Sequence, residues 1–138
     1  MQVGIEGGPL VNWEAFAQAR SELGANFVRI LGYFREDGIK SVDQIEAAMR
    51  AHNAAALVLP AHTLKGESRQ FGADPLSDLA EEIEVMGRAC VERQDTPEIA
   101  LAAVVRLRPM FEATLALLER EANPLVERRP VFGRRPAA

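Results

Sequence analysis

Apolar residues recur along most of this chain at spacings of three and four, the period of a helix with one buried stripe. Asn12 is placed to cap a short first helix through Trp13 and Phe16. A second stripe runs Phe27, Leu31, Phe34, then Val42, Ile45 and Met49. Between its halves lies REDGIKSVDQ, where Gly38 has the character of a helix end and Ser41 with Gln44 that of a capping box. The phase nevertheless holds, because steps of four from Phe34 pass through Gly38 to Val42. The pattern therefore predicts one continuous helix from Glu22 to about Ala51, carrying a glycine that costs about 1 kcal/mol relative to alanine.

A third stripe comprises Leu57, Ala61, Leu64, Ser68 and Phe71. Pro60 lies inside it. An interior proline removes a backbone hydrogen bond and crowds the preceding turn, so this helix either kinks at Pro60 or begins near Leu59, and the pattern does not choose. Gly72 stops it. Asp74 and Pro75 read as N-cap and first residue of a fourth helix with Leu76, Leu79, Ile83, Met86 and Cys90 inward. Thr96 and Pro97 repeat the signal for a fifth, with Leu101, Val104, Arg108, Phe111, Leu115 and Leu118 on one side, ending before Asn123 and Pro124. No hairpin signature and no internal repeat interrupts this series. Four long helices on short connections predict an all-α fold, an antiparallel four-helix bundle with a short extra N-terminal helix across one end. Residues 1–11 are then an N-terminal segment, 12–122 the bundle, and 123–138 a basic tail with the composition of a disordered segment.

Composition narrows the function classes. The chain has 138 residues, 48% of them hydrophobic, and a formal charge of −4. That is enough chain for one domain with a real core. No apolar run approaches the roughly 20 residues of a membrane span, and MQVGIEGGPLVNWEAF lacks the regions of a secretory signal, so the expectation is a cytoplasmic protein with no membrane partner. Net acidity argues against nucleic-acid binding. The single cysteine, Cys90, sits among apolar residues and reads as core, and no Cys/His cluster has metal-ligand spacing. Charge is unevenly spread: from Pro124 onward four arginines face one glutamate, giving the tail +3 and leaving −7 on the rest.

The third helix holds the candidate chemistry. If Leu57, Ala61, Leu64 and Ser68 face the core, Val58, His62, Lys65, Gly66 and Arg69 share a neighbouring face, at about 100° per residue. His62 then projects outward. A neutral imidazole is a good nucleophile, and histidine with an ordinary pKa of about 6.5 is mostly neutral in the cell. A phosphoryl group on it would bring negative charge that Lys65, one turn away, is placed to offset. Gly66 at i+4 removes the side chain that would crowd an incoming group, and a mid-helix glycine is destabilising unless something requires it. Val58 is an apolar contact for a partner on that face. Glu67 points about 140° away from His62, so the face shows no acid/base pair for hydrolysis. No phosphate loop of the form GxxxxGK[ST] occurs. The chain is therefore expected to hold a phosphoryl group without taking one from ATP. His52, near the end of the long helix, reads as a surface cap.

The stretch AHTLKGESRQFGA resembles the signature of histidine-containing phosphotransfer (HPt) domains, with Ala61, His62, Leu64, Lys65, Gly66, Ser68, Phe71, Gly72 and Ala73 matching. YFREDGIKSVDQIEAAMRAHN is similar to the long helix that precedes this signature, and LSDLAEEIE to the helix that follows, where a glutamate like Glu84 is usual. The resemblance implies a phosphoryl carrier between aspartates of response-regulator receiver domains, fed by a hybrid sensor kinase. It implies His62 as the phosphorylated residue, Lys65 as charge stabiliser and Gly66 as access residue. It also implies no cofactor of the chain's own, Mg²⁺ being supplied by the receiver, and a monomer. Arg88, one turn after Glu84, is then a further candidate to approach the site. Glu67 and Arg69 stand where the family usually has small residues, Arg69 near the docking face and Glu67 at its edge. Pro60 is outside the usual pattern.

Two other readings compete. An HPt-shaped module that binds receivers without carrying phosphate would need no reactive histidine. A histidine-dependent hydrolase would need a pocket with a second acid or base beside His62.

Overall fold

The computed structural model describes residues 9–123, and its elements follow from caps and stop signals in the chain. Helix α1 spans Trp13–Leu23, with Asn12 Oδ1 accepting from the Glu14 and Ala15 amides at 3.1 Å. A 3₁₀ turn, Gly24–Asn26, leads into α2, Phe27–Arg50. The long helix is thus continuous but begins at Phe27 rather than Glu22. Gly24, at φ 55°, takes a backbone conformation no helix contains and breaks the chain there. Gly38 is no helix end either. A Cβ at that position would lie 2.4 Å from Phe111 Cε1, so the glycine admits a phenyl ring from another helix.

Helix α3 spans Ala55–Gln70 and runs through Pro60 instead of beginning near Leu59. The ring costs α3 the bond to the Ala56 carbonyl, but Ala56 is exposed and water can serve that oxygen. Helix α4 spans Asp74–Arg93. Asp74 is its first residue, not its N-cap: Ala73 holds the cap position and caps with no side chain, and Asp74 faces the helix dipole. A second 3₁₀ turn, Pro97–Ala100, precedes α5, Leu101–Ala122.

Three of these helices close the same way. At the ends of α2, α3 and α4 the paired bonds Asn53 N–H to Ala48 O and His52 N–H to Met49 O, Ala73 to Ser68 and Gly72 to Arg69, and Asp95 to Cys90 and Gln94 to Val91 form Schellman motifs. His52, Gly72 and Gln94 are their left-handed residues. Gly72 is irreplaceable among them, since its Cβ would meet the Asn12 carbonyl at 2.6 Å.

Helices α2 to α5 run antiparallel in sequence, α3 and α4 packing most intimately. Helix α1 crosses one end. Asn12 N–H donates to Gly72 O at 2.8 Å and Arg20 Nη2 to Glu121 O at 2.7 Å, so α1 bridges the C-terminal ends of α3 and α5. A chain of rings, Trp13, Phe16, Phe27, Phe71, Phe34 and Phe111, with centroids 5.1 to 5.8 Å apart, carries the core from α1 into the bundle. The α5 stripe differs from the expected one. Leu101 is exposed and Arg108 sits at the rim, whereas Ala103, Val104, Leu107, Phe111, Thr114 and Leu118 face inward. Leu101 is six residues before Leu107, about 120° off the buried line. Cys90 is buried, as its apolar setting predicted.

Candidate functional site

The site begins where two helices touch. An ideal Cβ on Gly87 would lie 3.2 Å from Leu57 Cβ and 3.3 Å from Val58 Cγ2, so α3 and α4 approach here as closely as a glycine allows without their neighbours giving way by a few tenths of an ångström. One turn along, that closeness brings Glu84 of α4 under His62 of α3. Ser77 Oγ of α4 donates to the Lys65 carbonyl at 2.9 Å and holds the same register from the other side.

Glu84 is the centre of the arrangement. Its side chain is only 6% exposed, yet it meets three cationic or polar partners. His62 Nδ1 lies 3.0 Å from Oε2, Arg88 places Nε at 3.1 Å and Nη2 at 2.7 Å on the same oxygen, and Lys65 Nζ lies 2.9 Å from Oε1. Burial works to raise the Glu84 pKa, but the hydrogen bonds from Arg88, Lys65 and His62 outweigh it and hold the carboxyl down at about 2. A carboxylate so placed is an acceptor only. The proton on a neutral His62 is thereby assigned to Nδ1, leaving the Nε2 lone pair free. Among the described residues Nε2 makes no hydrogen bond, and the His62 side chain is 57% exposed. No atom lies within 4 Å of a Cβ built on Gly66, so the space above that turn is open.

The sequence-predicted residues divide accordingly. His62, Lys65, Glu84 and Arg88 come together in one hydrogen-bonded and ion-paired group. Arg69 does not join it. Its guanidinium turns to α4, 3.5 Å from Asp78 and 4.0 Å from Glu81, in pairs exposed enough to contribute little to stability. Val58 is half-buried against Gly87, not an exposed contact. The apolar residue offered to solvent is Leu59, 71% exposed and one turn before His62, with Val85 also exposed beside Glu84. The i−3 spacing from His62 is the sequence signal for Leu59, whereas the depth of Val58 follows from the close approach of Gly87 on the neighbouring helix.

Glu67 is not at the edge of this face. It is turned to α2, where Oε1 is buried without a donor. Burial first, then the Asp37 charge and a proton shared with Asp37, push its carboxyl up to about 7. His52 lies elsewhere too, ending α2 and pairing with Glu98 Oε2 at 2.8 Å. Against the hydrolase reading, His62 stands more than half exposed on an open helix face, and Glu84 beside it is occupied by Arg88 and Lys65.

A histidine fixed at Nδ1 and bare at Nε2, with a lysine beside it on an open helix face, is an arrangement for carrying an electrophilic group. The family model described as Hpt domain matches residues 29–121 of this chain, from α2 to the end of α5. The chain belongs to the Hpt family. Hpt proteins are phosphotransfer carriers that work with receiver domains and kinases, and this one has that phosphorelay carrier role. Among solved structures, histidine-containing phosphotransfer protein B from Pseudomonas aeruginosa PAO1 superposes with a TM-score of 0.72 over 82% of this chain and 94% of that one, at 24% identity. That likeness establishes the shared helical-bundle fold. Comparison with curated proteins finds no match. No group of three or more His, Cys, Asp or Glu side chains among the described residues is placed to hold a metal ion, and no described helix is long and apolar enough to cross a membrane.

Proposed function

We propose that His62 Nε2 is the atom that carries the phosphoryl group in this Hpt protein. The supporting observation is the pairing of Nδ1 with buried Glu84 while Nε2 stands open. In the transfer the Nε2 lone pair attacks phosphorus of a receiver aspartyl phosphate in line, the N–P bond forms, and the P–O bond to the aspartate breaks, releasing its carboxylate. The ring becomes a phosphorylated imidazolium, still holding its Nδ1 proton against Glu84, whose charge offsets the new positive charge. Lys65, tied to the other oxygen of Glu84, is held within a turn of the phosphoryl oxygens. Transfer to a second receiver reverses each step.

Metal chemistry is assigned to the receiver, which supplies Mg²⁺, and the protein acts as a cytoplasmic monomer without an ATP site of its own. Leu59, Gly66 and Val85 form the face a receiver covers, with Arg69 at its border.

Incubation with a phosphorylated receiver tests this. Acid-labile label is expected on the wild type and absent on His62→Gln, with unchanged helix content. Label that persists on His62→Gln removes the assignment, and a wild type labelled by no receiver of its own cell favours the module that binds without carrying phosphate.

A further inference from the structure

A second surface lies on α4 around the helix from Glu84. Asp78, Glu81, Glu82, Val85 and Met86 line a shallow groove of about 410 Å³, with three carboxylates toward the N-terminal end and two apolar side chains below them. Continuing down the same line of the helix, exposed Glu92 follows Val85 after two more turns. The order along the groove is therefore acidic then apolar, with Arg88 standing between Val85 and Glu92, and among the described residues the ion pair to the groove carboxylates comes from Arg69, at 3.5 and 4.0 Å from Asp78 and Glu81.

The complement is in the same chain. Residues 124–138 read PLVERRPVFGRRPAA: an arginine pair at 128 and 129, Val131 and Phe132, and a second arginine pair at 134 and 135. The basic pair followed by the apolar pair matches the groove in order and in spacing. From Asp78 to Val85 seven helical residues rise about 10 Å, which is the span of about three extended residues, the separation of Arg129 from Phe132. The point of departure also fits. Helix α5 ends at the same end of the bundle as the start of α4, since Glu121 bonds to Arg20 of α1 and the other end of α1 meets Gly72, two residues before Asp74. Fifteen residues reach up to about 50 Å, well beyond Glu92.

We propose that residues 124–138 dock in cis along the outer face of α4, the first arginine pair on Asp78, Glu81 and Glu82, and Val131 and Phe132 over Val85 and Met86. Docked there, the segment contests the Asp78 and Glu81 carboxylates that hold Arg69 and covers Val85, so it lies on the border of the face described for receivers. The docking itself stands apart from the phosphoryl assignment to His62, and only its effect on transfer rests on that reading.

The test uses the full chain, uniformly ¹⁵N-labelled, against a variant carrying R128E, R129E, R134E and R135E. At low salt the amide signals from Asp78 to Glu92 are expected to differ between the two, to be independent of protein concentration, and to converge in about 0.5 M salt as the charges are screened. A charge reversal on the groove, E82K, in the chain with its native tail is expected to move the signals from Met86 to Glu92, beyond its own neighbours, toward those of the tail variant. Identical α4 signals in the two chains overturn the proposal. So do differences that grow with concentration, which would place the segment on a second copy. Labelling by a phosphorylated receiver at low salt is expected to run several-fold faster in the charge-reversed tail variant, and equal rates overturn the contest with receivers. A failure of both chains to take label would count against His62 as carrier and leave the amide comparison to decide the docking.

Discussion

Two charge clusters in this bundle are near opposites. At Glu84 a buried anion gathers His62, Lys65 and Arg88 from α3 and α4. At Arg108 a cation from α5 gathers Asp43 at 2.6 Å and Glu46 at 2.9 Å from α2, with its own-helix Glu112 at 3.9 Å. The Glu46 and Asp43 hydrogen bonds raise the Arg108 pKa above its already high ordinary value, so the guanidinium stays charged. Every group around Arg108 is answered, and the result is a clamp between two helices. Around Glu84 one ring nitrogen is answered and the other is not. The same physics of ion pairing gives a fastener in one place and a poised nucleophile in the other, because one member of the Glu84 group reaches solvent with a lone pair unused.

The largest effect should come from breaking the Glu84 side. Glu84→Ala is expected to slow phosphoryl transfer to His62 by about 10- to 100-fold, with Glu84→Gln slowed less. A merely structural role predicts no change in the ring, whereas positioning predicts that ¹⁵N shifts of His62 move from the Nδ1–H form toward a mixture of tautomers in Glu84→Ala. The stability contributed by this carboxylate is present above its unfolded value near 4.5 and is lost as pH falls through about 2, so acid unfolding of Glu84→Gln is expected to show a shallower loss across that window.

Breaking the clamp should do the reverse. Arg108→Met is expected to lower stability to denaturant by about 1–2 kcal/mol, as for loss of charge-assisted hydrogen bonds at a partly exposed site, while leaving the transfer rate unchanged. Loss of transfer in a folded Arg108→Met would dissolve the contrast between the clusters.

Gly66→Ala sharpens it further. With no atom within 4 Å of the new Cβ, the protein should gain about 0.5–1 kcal/mol of stability, yet label several-fold more slowly because the methyl enters the space above His62. Gain in stability with undiminished transfer would remove Gly66 from the site.

The smallest effect concerns Glu67. Its carboxyl is raised to about 7 in the folded protein, so the folded state holds that proton more tightly than the unfolded chain. Stability from this group is full below about 4.5 and declines as pH rises through 7. Glu67→Gln should flatten the dependence of the unfolding midpoint between pH 5 and 8 and leave transfer intact.

Much of the fold was legible. The stripe from Phe27 to Met49 kept its phase across Gly38, and the helix is continuous there. The reason for Gly38 was not legible, because it belongs to Phe111, more than seventy residues away. Pro60 could not be placed from local rules, since the outcome depended on whether water reaches the Ala56 carbonyl. At the site, His62, Lys65 and Gly66 were readable from helical spacing on one segment. The depth of Val58 was not legible, because it depends on how closely Gly87 of another helix approaches.

The chain by itself determined which residues share a face, since helical periodicity is local and 100° per residue needs no partner. It therefore determined the helices, most of their stops, the exposed histidine and the lysine one turn on. Tertiary structure alone decided what lies beneath that histidine. Glu84 is 22 positions away, and its distance to Nδ1 depends on how closely α3 and α4 approach across Gly87. That approach turns a surface imidazole into one with a fixed proton and a free lone pair.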